Sequence, residues 1–226
     1  MSHCRFVGNR VELAAGSMGG GLDAEVGGRV RIANSLFAGN IGAGLHLRTW
    51  MPDTSTEVSN CVVYANRSNW AGAGISFVST GDDPLSIANT IAWGNVSVNG
   101  NGQGVQIFIS DDAAVVAYSC VQDLSGFSGP GNIGTDPRFV DPLGPDGIAG
   151  TLDDDLRPGI GSPCIDAGSN GRAAADFLDI DQDGDTTEWA PFDLAGRRRF
   201  RDDPNVIDTG EGTPPVIDIG PYERAP

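Results

Sequence analysis

The densest chemistry in this 226-residue chain lies in Asp179-Ile180-Asp181-Gln182-Asp183-Gly184-Asp185-Thr186-Thr187-Glu188. Asp at the first, third and fifth places with Gly at the sixth opens a calcium loop of the EF-hand type. Alternate carboxylates converge on one point, and Gly permits the sharp turn between them. The loop departs from the full pattern because Glu188 stands at the tenth place, not the twelfth, and no long helices flank it. The competing reading is a solvated acidic turn. Asp179, Asp181, Asp183, Asp185 and Glu188 are the expected calcium ligands. Asp146, Asp153 and Asp155 form a second candidate group around Asp146-Gly147, with a spacing that matches no calcium motif closely.

Other residue types suggest sugar chemistry. Trp50, Trp70 and Trp93 could stack on sugar rings, or could simply pack in turns and core. Asp82-Asp83 and Asp111-Asp112 are the paired acids of the first half, and glycoside hydrolysis needs two carboxylates flanking a bond. His46 follows Gly44-Leu45 and reads as a side chain on a sheet face before it reads as a general acid. The basic cluster Arg197-Arg198-Arg199 with Arg201 sits among acids and is expected to pair with them.

The elements that must position these groups are written in a repeat. His3-Cys4-Arg5-Phe6-Val7-Gly8-Asn9, Asn34-Ser35-Leu36-Phe37-Ala38-Gly39-Asn40, Asn60-Cys61-Val62-Val63-Tyr64-Ala65-Asn66 and Asn89-Thr90-Ile91-Ala92-Trp93-Gly94-Asn95 align without gaps. A degenerate fifth copy begins at Ser119-Cys120-Val121. A small-residue cluster leading into an apolar residue follows each of the first four copies, as in Gly42-Ala43-Gly44-Leu45, and a third strand-like piece precedes the next copy. Insertions such as Met51-Pro52-Asp53 and Gly81-Asp82-Asp83-Pro84 fall at one place in the cycle. Three short strands per repeat of about 30 residues, with no helical periodicity, predict an all-β parallel β-helix. Stacking would place Asn9, Asn40, Asn66 and Asn95 in an amide ladder at a corner that tolerates the left-handed conformation. His3, Asn34, Asn60 and Asn89 would make a second, weaker ladder. Cys4, Ser35, Cys61, Thr90 and Cys120 would form one inward column, with Phe6, Phe37, Val63 and Ala92 beside it. Cys4, Cys61 and Cys120 are then two coils apart, roughly 9–10 Å, too far for a disulfide. Cys164 has no obvious partner.

Charge separates the chain into two regions. The formal net charge is −16, all 14 basic residues are Arg, and residues 1–135 carry −4 against −12 for residues 136–226. Such a balance argues against a duplex nucleic-acid partner, and no apolar run is long enough to span a membrane. Met1-Ser2-His3-Cys4 lacks a basic and apolar leader and already lies within a repeat, so the chain reads as the later part of a longer one.

The Asn-Cys-x-Phe-x-Gly-Asn repeats resemble those of right-handed parallel β-helix proteins of the pectin-lyase-like superfamily. The later region resembles the bacterial surface family with a choice-of-anchor (type Q) domain. The matching pieces are Gly131-Asn132-Ile133-Gly134-Thr135-Asp136-Pro137-Arg138-Phe139-Val140-Asp141-Pro142, Gly161-Ser162-Pro163-Cys164-Ile165-Asp166-Ala167-Gly168, Asp193-Leu194-Ala195-Gly196-Arg197-Arg198-Arg199 and Val216-Ile217-Asp218-Ile219-Gly220-Pro221-Tyr222-Glu223. The resemblance implies a right-handed helix over residues 1–130 and a loop-rich acidic cap over 131–226, in a secreted or surface-displayed monomer. The Gly-His-Gly and Arg-Ile-Lys strings of related polygalacturonases are absent. The expected function is therefore a non-catalytic, calcium-stabilised module that contacts polysaccharide or mediates adhesion. The alternative is a polysaccharide lyase or glycoside hydrolase, which without Lys would need Arg as its base.

Overall fold

The computed structural model describes residues 1–11, 18–50, 54–79, 84–99, 102–110 and 114–224. The acid pairs Asp82-Asp83 and Asp111-Asp112 lie outside the described residues, as do the insertions at 51–53 and 81–83. The chain is nearly all β and stacks its strands as a parallel β-solenoid. The first sheet pairs Arg5–Val7, Leu36–Ala38, Val62–Tyr64, Ile91–Trp93 and Cys120–Val121. The second pairs Gly19–Val26, Ala43–Thr49, Ile75–Ser79 and Ile107–Ile109. The third pairs Arg29–Ala33, Ser55–Ser59, Leu85–Ala88 and Ala114–Ala117. The chain visits the three sheets in that order, coil after coil. No helix among the described residues is long and apolar enough to cross a membrane.

The corner before the second sheet is built as the repeat predicts. Asn9 Nδ2 donates to Asn40 Oδ1, Asn40 to Asn66, and Asn66 to Asn95, at 3.0, 2.8 and 2.9 Å. Each amide oxygen also accepts the backbone N–H of the Asn one coil earlier. Gln106 ends the ladder by accepting from Asn95 Nδ2 at 2.8 Å. Buried amides satisfied on both sides stabilise instead of costing energy. The Gly-rich clusters exist for this ladder: a Cβ on Gly44 would lie 2.6 Å from Asn66 Nδ2, and one on Gly74 would lie 2.7 Å from Asn95 Nδ2.

Three details differ from the expectation. The left-handed backbone falls not on the ladder residues but just before them, at Gly8, Gly39, Ala65 and Gly94, and on His3, Asn34, Asn60 and Asn89. The second column does not form a ladder, because its side chains turn outward. The fifth copy is also shifted by one residue. Ile91 pairs with Cys120, so Tyr118, with φ 47°, takes the corner and Ser119 follows Thr90 in the inward column. A one-residue offset reverses the face of a strand. Cys61 is therefore buried in the solenoid interior, whereas Cys120 packs on the outer face of the first sheet against Cys164. All four cysteines are free thiols.

The inner core draws Phe37, Val63, Leu45, Ile75, Val58 and Ile87 from all three sheets, and Phe6 stacks on Phe37 at 5.1 Å. The outer face of the first sheet is buried too, by residues 136–224. Leu36, Val62 and Ile91 pack there with Leu156, Cys164, Ala167 and Ile219. That is why triplets such as Val62-Val63-Tyr64 are apolar throughout. Pro130 and Ile133 add a last rung to the final strand of this sheet. Beyond it the tail runs back along the outer corner and meets each member of the second column. Ser169 binds Asn89 through both amide atoms, and Asn60 holds Ala174 N–H and Gly220 O. Arg199 donates to Asn34 Oδ1, and His3 Nε2 lies 3.0 Å from Phe192 O. The tail itself contains one antiparallel pair, Phe139–Asp141 with Asp155–Pro158, and a short 3-10 turn at Asn170–Arg172.

Candidate metal centre

The acidic loop folds into a compact turn with left-handed residues at Asp179, Gln182 and Gly184. Asp179, Asp181 and Asp183 bring carboxylate oxygens within 4.8 Å of one another, and Asp176, Asp181 and Glu188 do the same. Asp181 belongs to both groups and stands at their junction. The buried Asp176 is held by Ile180 N–H, which both its oxygens accept, and its own N–H donates to Glu188 O at 2.9 Å. Glu188 Oε1 is buried and has no hydrogen-bond partner. Burial raises the Glu188 carboxyl above its ordinary range, and Asp183, Asp181, Asp185 and Asp176 push it further. The donor set is entirely hard oxygen, which suits calcium better than zinc or copper.

The sequence-predicted ligands divide on this geometry. Asp179, Asp181, Asp183 and Glu188 come together. Asp185 turns away: its Oδ1 accepts both Thr187 N–H and Thr187 Oγ1, which lowers its pKa. Asp176 takes part although it precedes the alternating motif. Asp146, Asp153 and Asp155 do not converge into a ligand group among the described residues. Asp153 accepts Asp146 N–H and Thr151 Oγ1, and Asp155 is paired with Arg157. These carboxylates stabilise the turns of residues 146–157.

The three tryptophans singled out for sugar are spread apart. Trp50 is exposed beneath the Arg48 guanidinium, Trp70 is exposed in a turn, and Trp93 is half-buried against the outer cluster of the first sheet. The fourth, Trp189, was missed although it directly follows Glu188. The residue is 43% exposed and lines two clefts. One, of about 300 Å³, lies between the third sheet and the tail and includes Arg31, Glu57, Arg172 and Phe177. The other, of about 320 Å³, includes Asp181, Glu188, Phe192 and Arg198. Glu57 is clamped by Arg29 at 2.7 Å and Arg31 at 3.0 Å. Neither cleft includes Trp50, Trp70 or Trp93. His46 is fully buried with both ring nitrogens unpartnered, and burial lowers its pKa.

The tail is locked by a buried ion pair. Arg199 and Glu223 are 1% and 0% exposed, with Nη1 2.8 Å from Oε1. Arg199 also donates to Gly220 O, Pro221 O and Asn34 Oδ1, so every arm of its fork finds an acceptor. Glu223 Oε2 accepts Asp218 N–H, and Asp193 accepts Glu223 N–H. Of the basic cluster, Arg199 thus pairs with a tail acid. Compared with protein-family models, with curated proteins and with solved structures, the chain matches none.

Proposed function

We propose that this chain is a non-catalytic module of a secreted or surface-displayed protein, fastened by calcium at Asp176, Asp179, Asp181, Asp183 and Glu188. The observation that carries this reading is the meeting of two carboxylate triads at Asp181 beside the unpartnered Glu188 Oε1. Repulsion among five acids is relieved by a divalent cation, and calcium accepts irregular sets of oxygen ligands. Asp176 ties this loop to the segment that follows Ala174, whose N–H binds Asn60 of the solenoid. Calcium would then stiffen the attachment of the tail, not catalyse a step.

The test is thermal unfolding after chelation. Calcium at a hundredfold excess over its Kd adds about 2.7 kcal/mol, which at about 2–4 °C per kcal/mol raises the melting temperature by several degrees. D181N should remove much of that gain. No shift in the unaltered protein, or an undiminished shift in D181N, would sink this site.

The clefts on either side of Trp189 favour a saccharide as partner, because an exposed aromatic ring flanked by Arg and carboxylates is the surface a sugar ring recognises. In this reading the solenoid is right-handed and pectin-lyase-like, and the tail is of the choice-of-anchor type. The reading is supported by the way three of its four motifs interlock through Asp166, Asp193, Arg199, Asp218 and Glu223. Binding to immobilised polygalacturonate should be lost in W189A and retained in W70A. Release of unsaturated sugars from that polymer would overturn the non-catalytic part.

A further inference from the structure

A second acidic group lies elsewhere in the tail and plays no part in the loop described above. Asp166, Asp202 and Asp208 place carboxylate oxygens within 4.8 Å of one another. Asp166 is 0% exposed, and neither of its carboxylate oxygens has a hydrogen-bond partner. Asp208 Oδ1 is likewise buried and unpartnered. This differs from an ordinary acidic turn, where backbone N–H groups or Arg satisfy the oxygens, as they do at Asp154 and Asp155 in this same chain. A buried carboxylate with no donor costs several kcal/mol, so a native fold keeps one only where something else meets it. No Arg does so among the described residues: Arg224, the nearby cation, is paired with Asp203 at 3.0 Å.

The Asp166 backbone is fixed in place. Its N–H donates to Asp218 Oδ1 at 2.8 Å, and its carbonyl accepts Thr209 and Gly210 N–H at 2.9 and 3.1 Å. The side chain is therefore held where Asp202 and Asp208 approach from the exposed side. We infer that Asp166, Asp202 and Asp208 form a second divalent-cation site, with calcium as the class of ion. Three carboxylates give hard oxygens from positions far apart in sequence, and calcium tolerates the irregular coordination that such a site offers. The site would close the 202–210 loop onto residue 166. Three residues later Ser169 grips Asn89, so the closure bears on the attachment of tail to solenoid.

The experiment separates this site from the first. Calcium binding is measured by calorimetry at pH 7.5 on the chelator-treated 226-residue chain carrying D181N and D183N, with circular dichroism confirming the fold. One calcium per chain is expected to remain. Adding D202N and D208N, which preserve side-chain shape, should weaken that binding at least tenfold. Calcium should also slow amide exchange at Thr209 and Gly210 in the D181N/D183N chain. Absence of calcium binding in D181N/D183N, or binding undiminished by D202N and D208N, would overturn the second site. If calcium binds but D181N and D183N leave its stoichiometry unchanged from the unaltered chain while D202N and D208N abolish it, the first site fails and this one stands.

Discussion

The solenoid and the tail solve the same problem by opposite means. The coils satisfy their backbone through parallel pairing repeated from strand to strand, and one residue type, Asn, serves each inner corner in turn. The tail has one pair of short strands, a few isolated bridges and a 3-10 turn, tied together by side chains used once each: Arg199, Asp193, Asp218 and Glu223. Repetition spreads stability over many equivalent contacts. The tail concentrates it in a few, and carries most of the net negative charge as well.

The sharpest way to test that division is to remove the tail's lock. R199M leaves Glu223 buried without its partner, a change of about 3–5 kcal/mol. Hydrogen exchange should rise across residues 136–224 and in the coils this segment spans, and R199M/E223M should recover much of the loss. Coils that stay protected while the tail opens would show that the two regions are separate units. The counterpart in the solenoid is N66A, which strips partners from Asn40, Phe37 and Asn95. A loss of about 2–4 kcal/mol follows from the orphaned buried groups, and denaturant unfolding should show coils and tail weakened together. N60A, on the outer corner, should cost about 1–2 kcal/mol and increase proteolysis near Ala174 without disturbing the ladder.

The smallest effect is one of pH. His46 stays neutral in the fold because burial, and then Arg48, disfavour its charged form, while Asp23 opposes them. The unfolded side chain titrates near ~6.5. Its contribution to stability is therefore constant above that pH and is lost as pH falls below it. H46Q should flatten the acid side of the stability profile between about pH 6.5 and 5. An unchanged profile would show that other groups set it.

Much of the solenoid was legible because a stacked position repeats its residue. Asn9, Asn40, Asn66 and Asn95 announce their ladder by type and spacing alone. The signal fades at Tyr118, which stands where the three copies before it have Asn, so sequence alone starts the fifth copy at Ser119, one residue late, and turns Cys120 to the inward face. The acidic loop was half legible, since Asp179, Asp181 and Asp183 alternate in sequence. Asp176 lay outside the alternation, and Asp185 fitted it but turned to Thr187. Asp166, Asp202 and Asp208 could not be read at all, because only the folded tail brings them together. Trp189 is hidden for a related reason at one of its clefts, whose far wall is the third sheet, distant from it in sequence.

The outer corner has a consequence for how the molecule comes apart. Stacked coils left to themselves behave as a row of near-independent units that can fray from either end. Here one segment touches His3, Asn34, Asn60 and Asn89, the same corner in four successive coils. A coil cannot leave the row without dragging at a strap that also grips its neighbours. The tail thereby converts a ladder of small, separate transitions into a single cooperative one. Pulled along its axis, the molecule should resist as a splinted spring, yielding in one step when the strap gives way.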